Sequence, residues 1–298
     1  ALPAWLLLAA LAGLVLGMGA LFAGALGVLM AAGALVLSLI GAQQLPLEWL
    51  LARQGAQPLP AWRAPQLHQT LHQLARRAGL EAVPRLFISP SVQPTAFTAG
   101  QERAIIVVSA GLLRSLSAPE IAGVLAHEVA HIRNADTRLL QVASAFNVVL
   151  QGLARAAQFG LLLSLVLMLF GNAQLPLLTF AVMMLGPWLG QLLQLSLSRS
   201  REYEADATAA RLTGDPRGLA SALIRLEAMQ AGLLGRLFGL QNTLVPQWLR
   251  THPPTAERVR RLVQPLGMAY APAGHPRRAA PRFRLTGSYT PLHPRFSD

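Results

Sequence analysis

Two stretches of the chain are nearly free of charge. Residues 1–47 hold no Asp, Glu, Lys or Arg, and residues 139–198 hold only Arg155. A helix needs about 20 apolar residues to cross a bilayer core. The first stretch therefore predicts two tight spans, roughly 3–20 and 22–42, with a turn near 19–22. The second predicts two more, roughly 142–170 and 174–197, turning at GNAQLP, 171–176. The first stretch is too long for a signal peptide, and it lacks a basic start and a cleavage site followed by polar sequence. Gly13 and Gly17, four apart, suit a close helix contact, although a segment this rich in Gly and Ala produces that spacing by composition too.

Outside these blocks the pattern changes. Residues 43–64, with Gln, Pro and Gly, predict a linker leaving the membrane. Leu67, Leu71 and Leu74 recur at helical spacing within 65–79. RLFIS (85–89) and AIIVVS (104–109) predict strands, separated by a Pro-, Thr- and Gly-containing loop. Ser117-Ala-Pro-Glu120 has the form of a helix start: serine cap, proline in the first turn, glutamate three on. Further helices are expected over roughly 199–213 and 217–231, and a turn with a short helix over 251–262. The domains expected are an N-terminal membrane hairpin (1–47), the first half of a polar domain (48–138), a second hairpin (139–198), the second half of that domain (199–270) and a disordered Pro- and Arg-rich tail (271–298).

Composition sharpens this picture. Of the 298 residues 53% are hydrophobic and only 13% charged, against about 25% in soluble domains. The formal charge is +12, carried wholly by arginine. These arginines lie almost entirely outside the hydrophobic blocks, and both expected hairpin turns are uncharged. By the positive-inside pattern the turns face outward and the rest faces the cytoplasm. No interleaving of aromatic and basic residues points to base stacking, so nucleic acid is not an expected partner. Cysteine is absent, which excludes disulfides and thiolate metal sites and fits a reducing compartment.

The chemistry lies in VLAHEVAHIRNAD, 124–136. His127 and His131 are four apart and share a helix face, with Glu128 beside them. Two imidazoles so placed can bind one Zn²⁺, and the glutamate can act on a water there. His68 and His72 have the same spacing, but they lack the glutamate and lie in a polar segment, which suits a solvated helix face. Acids are rare, 13 in all, and three fall in SRSREYEADATAA, 198–210. Glu202 and Asp206 are four apart. Glu202 can complete a His, His, Glu site, and Asp206 can accept the free ring N–H of a histidine. Glu204 points about 160° away by the 3.6-residue period. The hydrophobic hairpin between the two half-sites must bring its ends together on one membrane face.

These motifs, with TAFTAG (95–100), GLL (111–113), ALIRL (222–226) and THPPTAER (251–258), resemble in order and spacing the HtpX-like membrane zinc metalloproteases, relatives of the prenyl-protein (CAAX) proteases. The resemblance implies an α+β membrane protein. Its mostly helical gluzincin-type domain would carry a small β-sheet, with about four transmembrane helices in two hairpins. It implies one Zn²⁺ per chain on His127, His131 and Glu202, with Glu128 as catalytic base. It implies Asp206 behind the histidines, a helix-end or supporting role for Asp136, His252 as a catalytic residue contacting substrate or oxyanion, and Arg258 supporting the site from behind, with either His252 or Arg258 as a candidate oxyanion contact. Thr95, Ala96 and Phe97 are implied at the substrate cleft. The family usually carries Asn where Thr95 stands, and threonine has a shorter side chain and no amide.

The expected activity is zinc-dependent endoproteolysis of membrane or unfolded proteins in quality control, in a bacterial inner membrane, multi-pass, with the active site facing the cytoplasm. The substrate is expected extended beside an edge strand, 104–109. Two other readings stay open: a non-catalytic zinc-binding membrane scaffold or adaptor, and a CAAX-type processing protease.

Overall fold

The structure, a computed structural model, describes residues 3–43, 47–100, 104–170, 177–238, 253–264 and 283. Among them three helices are long and apolar enough to cross a membrane: Ala4–Gly41, Arg138–Leu169 and Thr179–Thr213. They belong to α1 (Ala4–Gln43), α6 (Asp136–Leu169) and α7 (Leu177–Thr213). The GNAQLP turn lies outside the described residues.

α1 is not one rod. Ala23 and Gly24 leave helical geometry, and Gly24 sits at φ 58°, where glycine alone carries no Cβ penalty. Along an unbroken helix Gly19 and Gly27 would stand about 12 Å apart. Here a Cβ built on Gly27 would fall 1.9 Å from the Gly19 carbonyl oxygen. α1 is therefore a helical hairpin turning at Ala23–Gly24, slightly later than 19–22. Each arm is roughly 28 Å long, enough for a hydrocarbon core. The close contact is made by Gly19 and Gly27. At Gly13 and Gly17 an added Cβ would meet nothing within 4 Å, so that spacing reflects composition. Leu7, Leu11, Val15 and Met18 of α1 pack with Phe146 and Leu150 of α6 and Met183 and Leu197 of α7.

The part of the chain between the hydrophobic blocks is built on a four-stranded sheet. β1 (Gln57–Pro58), β2 (Arg85–Ser89), β3 (Ala96–Ala99) and β4 (Ile105–Ser109) lie in the order β1-β2-β4-β3. β2 and β4 run parallel, while β3 is antiparallel to β4. Three expectations need correction. The segment expected as a loop between the long strands contains β3, and the expected linker contains β1 and α2 (Leu47–Arg53). The strand expected at the edge, 104–109, is internal: β2 and β3 cover both its sides, and β3 is the edge.

The sheet is apolar on both faces, which explains the unbroken IIVV of β4. Leu86, Ile88, Ile106 and Val108 face α3 (Pro65–Ala78) and α5 (Ala118–Arg133). Phe87, Ile105 and Val107 face the other way, with Leu47, Leu50 and Leu51 of α2 against them. On α3, Leu67, Leu71 and Leu74 are buried as the spacing predicts. His68 is not simply solvated: its Nε2 lies 2.7 Å from the Leu59 carbonyl oxygen, and only His72 is on an exposed face.

α4 (Ala110–Ser115) leads into α5, whose start is the expected capping box, with Glu120 accepting from the Ser117 backbone N–H at 2.7 Å. α5 does not run on into the membrane. It ends at Arg133, and Ala135 takes a left-handed φ of 53° before α6 begins at Asp136. The expected separate helix at 199–213 is instead the continuation of α7, one helix of 37 residues. α8 (Pro216–Phe238) and α9 (Thr255–Val263) close the domain. Of the tail, only Phe283 is described, packed against the main core; the expected disorder there lies outside the described residues.

Candidate metal site

α5 presents His127, Glu128 and His131, and the extension of α7 brings Glu202 to them. The ligand-type atoms of His127, His131 and Glu202 all lie within 4.8 Å of one another. The two Nε2 atoms face each other at 3.0 Å, with the rings nearly perpendicular at 86°. The Glu202 carboxylate stands 3.6 Å from His127 Nε2 and 3.9 Å from His131 Nε2.

Each histidine is held from behind. His131 Nδ1 lies 2.7 Å from Asp136, the first residue of α6, so the break at Ala135 turns α6 back onto the site. His127 Nδ1 lies 3.0 Å from Asp206, paired with it though not aligned as a hydrogen bond. We assign the ring protons to the two Nδ1 atoms because each faces a carboxylate. Both Nε2 lone pairs then point at each other across 3.0 Å, a repulsive arrangement unless a cation lies between them. Burial disfavours a charged His131, but the Asp136 hydrogen bond and the charges of Glu128, Glu202 and Asp136 outweigh it and raise the ring's pKa above the ordinary value.

The surrounding charges fit the same occupant. Glu128, Asp136, Glu202 and Asp206 are all buried. Arg201 and Arg258 pair with them. Among these described groups the carboxylates outnumber the guanidinium groups paired with them, an excess of negative charge that suits a cation. The donor set, two imidazoles and a carboxylate, is one that zinc accepts, so these residues fit the metal.

Sequence reasoning brought most of this group together, but it missed two residues. Thr98 of β3 donates from Oγ1 to Glu128 Oε2 at 2.7 Å. Its only signal was its place two residues after Ala96, on the same face of a strand not foreseen. Arg201 pairs with Asp136, and its Nη2 reaches the Asn134 carbonyl at 3.4 Å. It stood inside SRSREYEAD, where acids drew the attention. Glu204 lies outside the cluster, half-exposed and paired with Arg201 at 2.5 Å.

One expected role changes. Phe97 packs with Phe87 and Val107 on the face of the sheet opposite α5, so its side chain does not line the cleft. Thr95 is exposed just before β3, and Ala96 is half-buried on the α5 side. Arg258, expected to support the site from behind or to contact an oxyanion, faces carboxylates. Nε and Nη2 each lie 2.7 Å from Asp206, and Nη1 lies 3.2 Å from Glu202. His252 lies outside the described residues.

Comparison with known proteins settles the kinship. Residues 61–266 match the model of peptidase family M48, a span that takes in the whole cluster. The chain belongs to peptidase family M48. A protease HtpX homolog of Acaryochloris marina is 41% identical over 219 residues, 68% of this chain and 72% of that protein. One from Gemmatimonas aurantiaca is 35% identical over 217 residues, 66% of this chain and 74% of its own length. The crystal structure of Ste24p from S. mikatae shares the fold, with a TM-score of 0.53 at 21% identity over 87% of this chain. The chain spans 63% of that protein's length. Kinship and membrane helices together make this M48 chain a membrane metallopeptidase, and the family implies a metal, typically zinc.

Proposed function

We propose that this M48 peptidase is a zinc endopeptidase that cuts membrane-embedded or unfolded polypeptides at the cytoplasmic surface of a bacterial inner membrane. The observation that carries this is the convergence of His127, His131 and Glu202 beside Glu128, at the end of the membrane-derived helix α7.

In this reading His127, His131 and Glu202 hold the zinc. The metal, when bound, supplies Lewis acidity that polarises the scissile carbonyl and makes water easy to deprotonate. Glu128 takes the proton and later delivers it to the leaving amine. Thr98 fixes the orientation of that carboxylate. Asp136 and Asp206 hold the imidazoles with their Nε2 atoms inward. Arg258 keeps Asp206 charged and in place rather than touching the substrate, which leaves the oxyanion to His252. The substrate adds as a strand along the free edge of β3, where backbone groups give affinity without reading sequence. Such loose selection suits the clearance of damaged proteins.

Charge supports the membrane orientation. The α1 turn at Ala23–Gly24 carries none, while arginines flank the half that holds the site. A tag after residue 298, probed with added protease in sealed inverted vesicles, tests this: the reading expects cleavage without detergent. The chemistry is tested with casein and purified protein. A strong chelator should stop degradation and zinc restore it; degradation that continues under chelation overturns the proposal.

A further inference from the structure

Arg155 is the one charge in either hydrophobic block, and nothing in the mechanism uses it. It lies on α6 about 24 Å from Leu139 and about 21 Å from Leu169 along the helix. The side chain is exposed, and among the described residues its hydrogen-bond partner is Gln151 Oε1 at 3.5 Å. Arginine keeps its proton, and a charge in the bilayer is costly unless it is met.

Arg155 does not stand alone. Ser144, Asn147, Gln151, Arg155 and Gln158 follow the helical period and form one polar row, about 120° around α6 from Phe146 and Leu150, which pack toward α1. Near the metal site the row is satisfied internally. Asn147 bonds Gln194 of α7, and Gln194 donates to Ser144 Oγ at 3.0 Å. Further into the membrane α7 still carries Gln191 and Thr179, but among the described residues neither is hydrogen-bonded to the row. There Gln158 reaches Met184 Sδ at 3.4 Å, and Gln151, Arg155 and Gln158 are all exposed. The row thus opens sideways, toward lipid.

We propose that this open part of α6 docks, within the bilayer, a transmembrane helix of another protein that carries an unpaired carboxylate. Charge complementarity picks the occupant. A second copy of this chain cannot supply the counter-charge, because residues 1–47 and 139–198 contain no Asp or Glu. A lipid phosphate sits at one depth, whereas Gln151 to Gln158 spans about 10 Å of helix. A carboxylate facing lipid is a mark of a membrane protein missing its partner, since such groups are normally paired inside a bundle. As a statement about substrates the proposal rests on the peptidase reading; as a statement about binding it does not.

The test uses the full-length Glu128→Gln chain in phosphatidylcholine vesicles, so that binding is read without cleavage. The probes are leucine-rich single-span helices labelled for energy transfer, with Asp, Leu or Arg at mid-span. The Asp helix should bind at least about tenfold tighter than the Leu helix. Arg155→Gln should abolish the difference, and Arg155→Glu should transfer the preference to the Arg helix. That swap separates pairing from a folding defect. Equal binding of all probes, a preference that survives in Arg155→Gln, or an effect of Arg155 seen only with anionic lipid overturns the proposal. Casein cleavage by the active chain is measured in parallel. Its absence would sink the peptidase reading and leave the binding result to stand by itself.

Discussion

Arg258 closes its guanidinium fork on Asp206, two bonds of 2.7 Å between residues 52 apart in sequence. Both are buried, and Asp206 in turn faces His127 Nδ1 at 3.0 Å. The pair therefore ties α9 to the metal site through one carboxylate. Arg258→Ala should leave that buried carboxylate without its guanidinium counter-charge, at a cost of roughly 3–5 kcal/mol in stability. Zinc affinity should fall roughly 10–100-fold. Denaturation and competition with a calibrated chelator check both; wild-type zinc affinity in the variant would show that Arg258 does not support the site.

Thr98 offers a cleaner test of geometry. Thr98→Val keeps the shape and removes the hydroxyl that donates to Glu128. The loss of one hydrogen bond to a charged group, roughly 1.5–3 kcal/mol, should lower kcat about 10- to 100-fold while zinc content stays the same. Thr98→Ser should restore most of the rate. Unchanged kcat in Thr98→Val would remove Thr98 from the mechanism.

These two residues also show how far the sequence could be read. His127, Glu128 and His131 were legible because helical spacing is local: it depends only on residues a turn apart. Glu202 and Asp206 were legible because acids are scarce and the hairpin had to return to one membrane face. Thr98 was hidden because β3 is a short strand among Pro, Thr and Gly, whose pairing with β4 is a long-range fact. The same reason misplaced 104–109 at an edge, since a strand's own residues do not name its neighbours. The side of the sheet that Phe97 faces followed from that register. The break between α5 and α6 rests on Ala135 at φ 53°, a conformation its residue type gives no hint of.

α5 and α8 meet at Gly123, four residues before His127. A Cβ there would stand 2.8 Å from both the backbone N and the Cα of Leu219, and neither can swing aside. Gly123→Ala should therefore push the helices apart and destabilise the domain by about 1–3 kcal/mol. Thermal unfolding in detergent measures this, and an unchanged transition would show that the helices are less closely seated than described.

Glu120 links the start of α5 to α8 through Ser221, 2.6 Å away. Burial alone raises its pKa. The Ser117 backbone N–H, the Ser221 and Ser117 hydroxyls and Arg225 outweigh burial and hold it below the ordinary value of 4.5. The unfolded state thus takes up the proton first on acidification. The stabilisation is complete above the unfolded pKa and is lost as pH falls through the folded one. Denaturation between neutral and acid pH should show Glu120→Gln with a flatter acid-side decline than wild type. Parallel curves would mean that Glu120 contributes nothing to acid sensitivity.

In the proposed mechanism Glu128 works on a metal held by His127, His131 and Glu202. Zinc content and casein cleavage should be measured together for purified wild type and Glu128→Gln. One zinc per chain is expected in both, with cleavage in the variant reduced at least about 100-fold. A variant that cuts as fast as wild type with its zinc in place would contradict this mechanism.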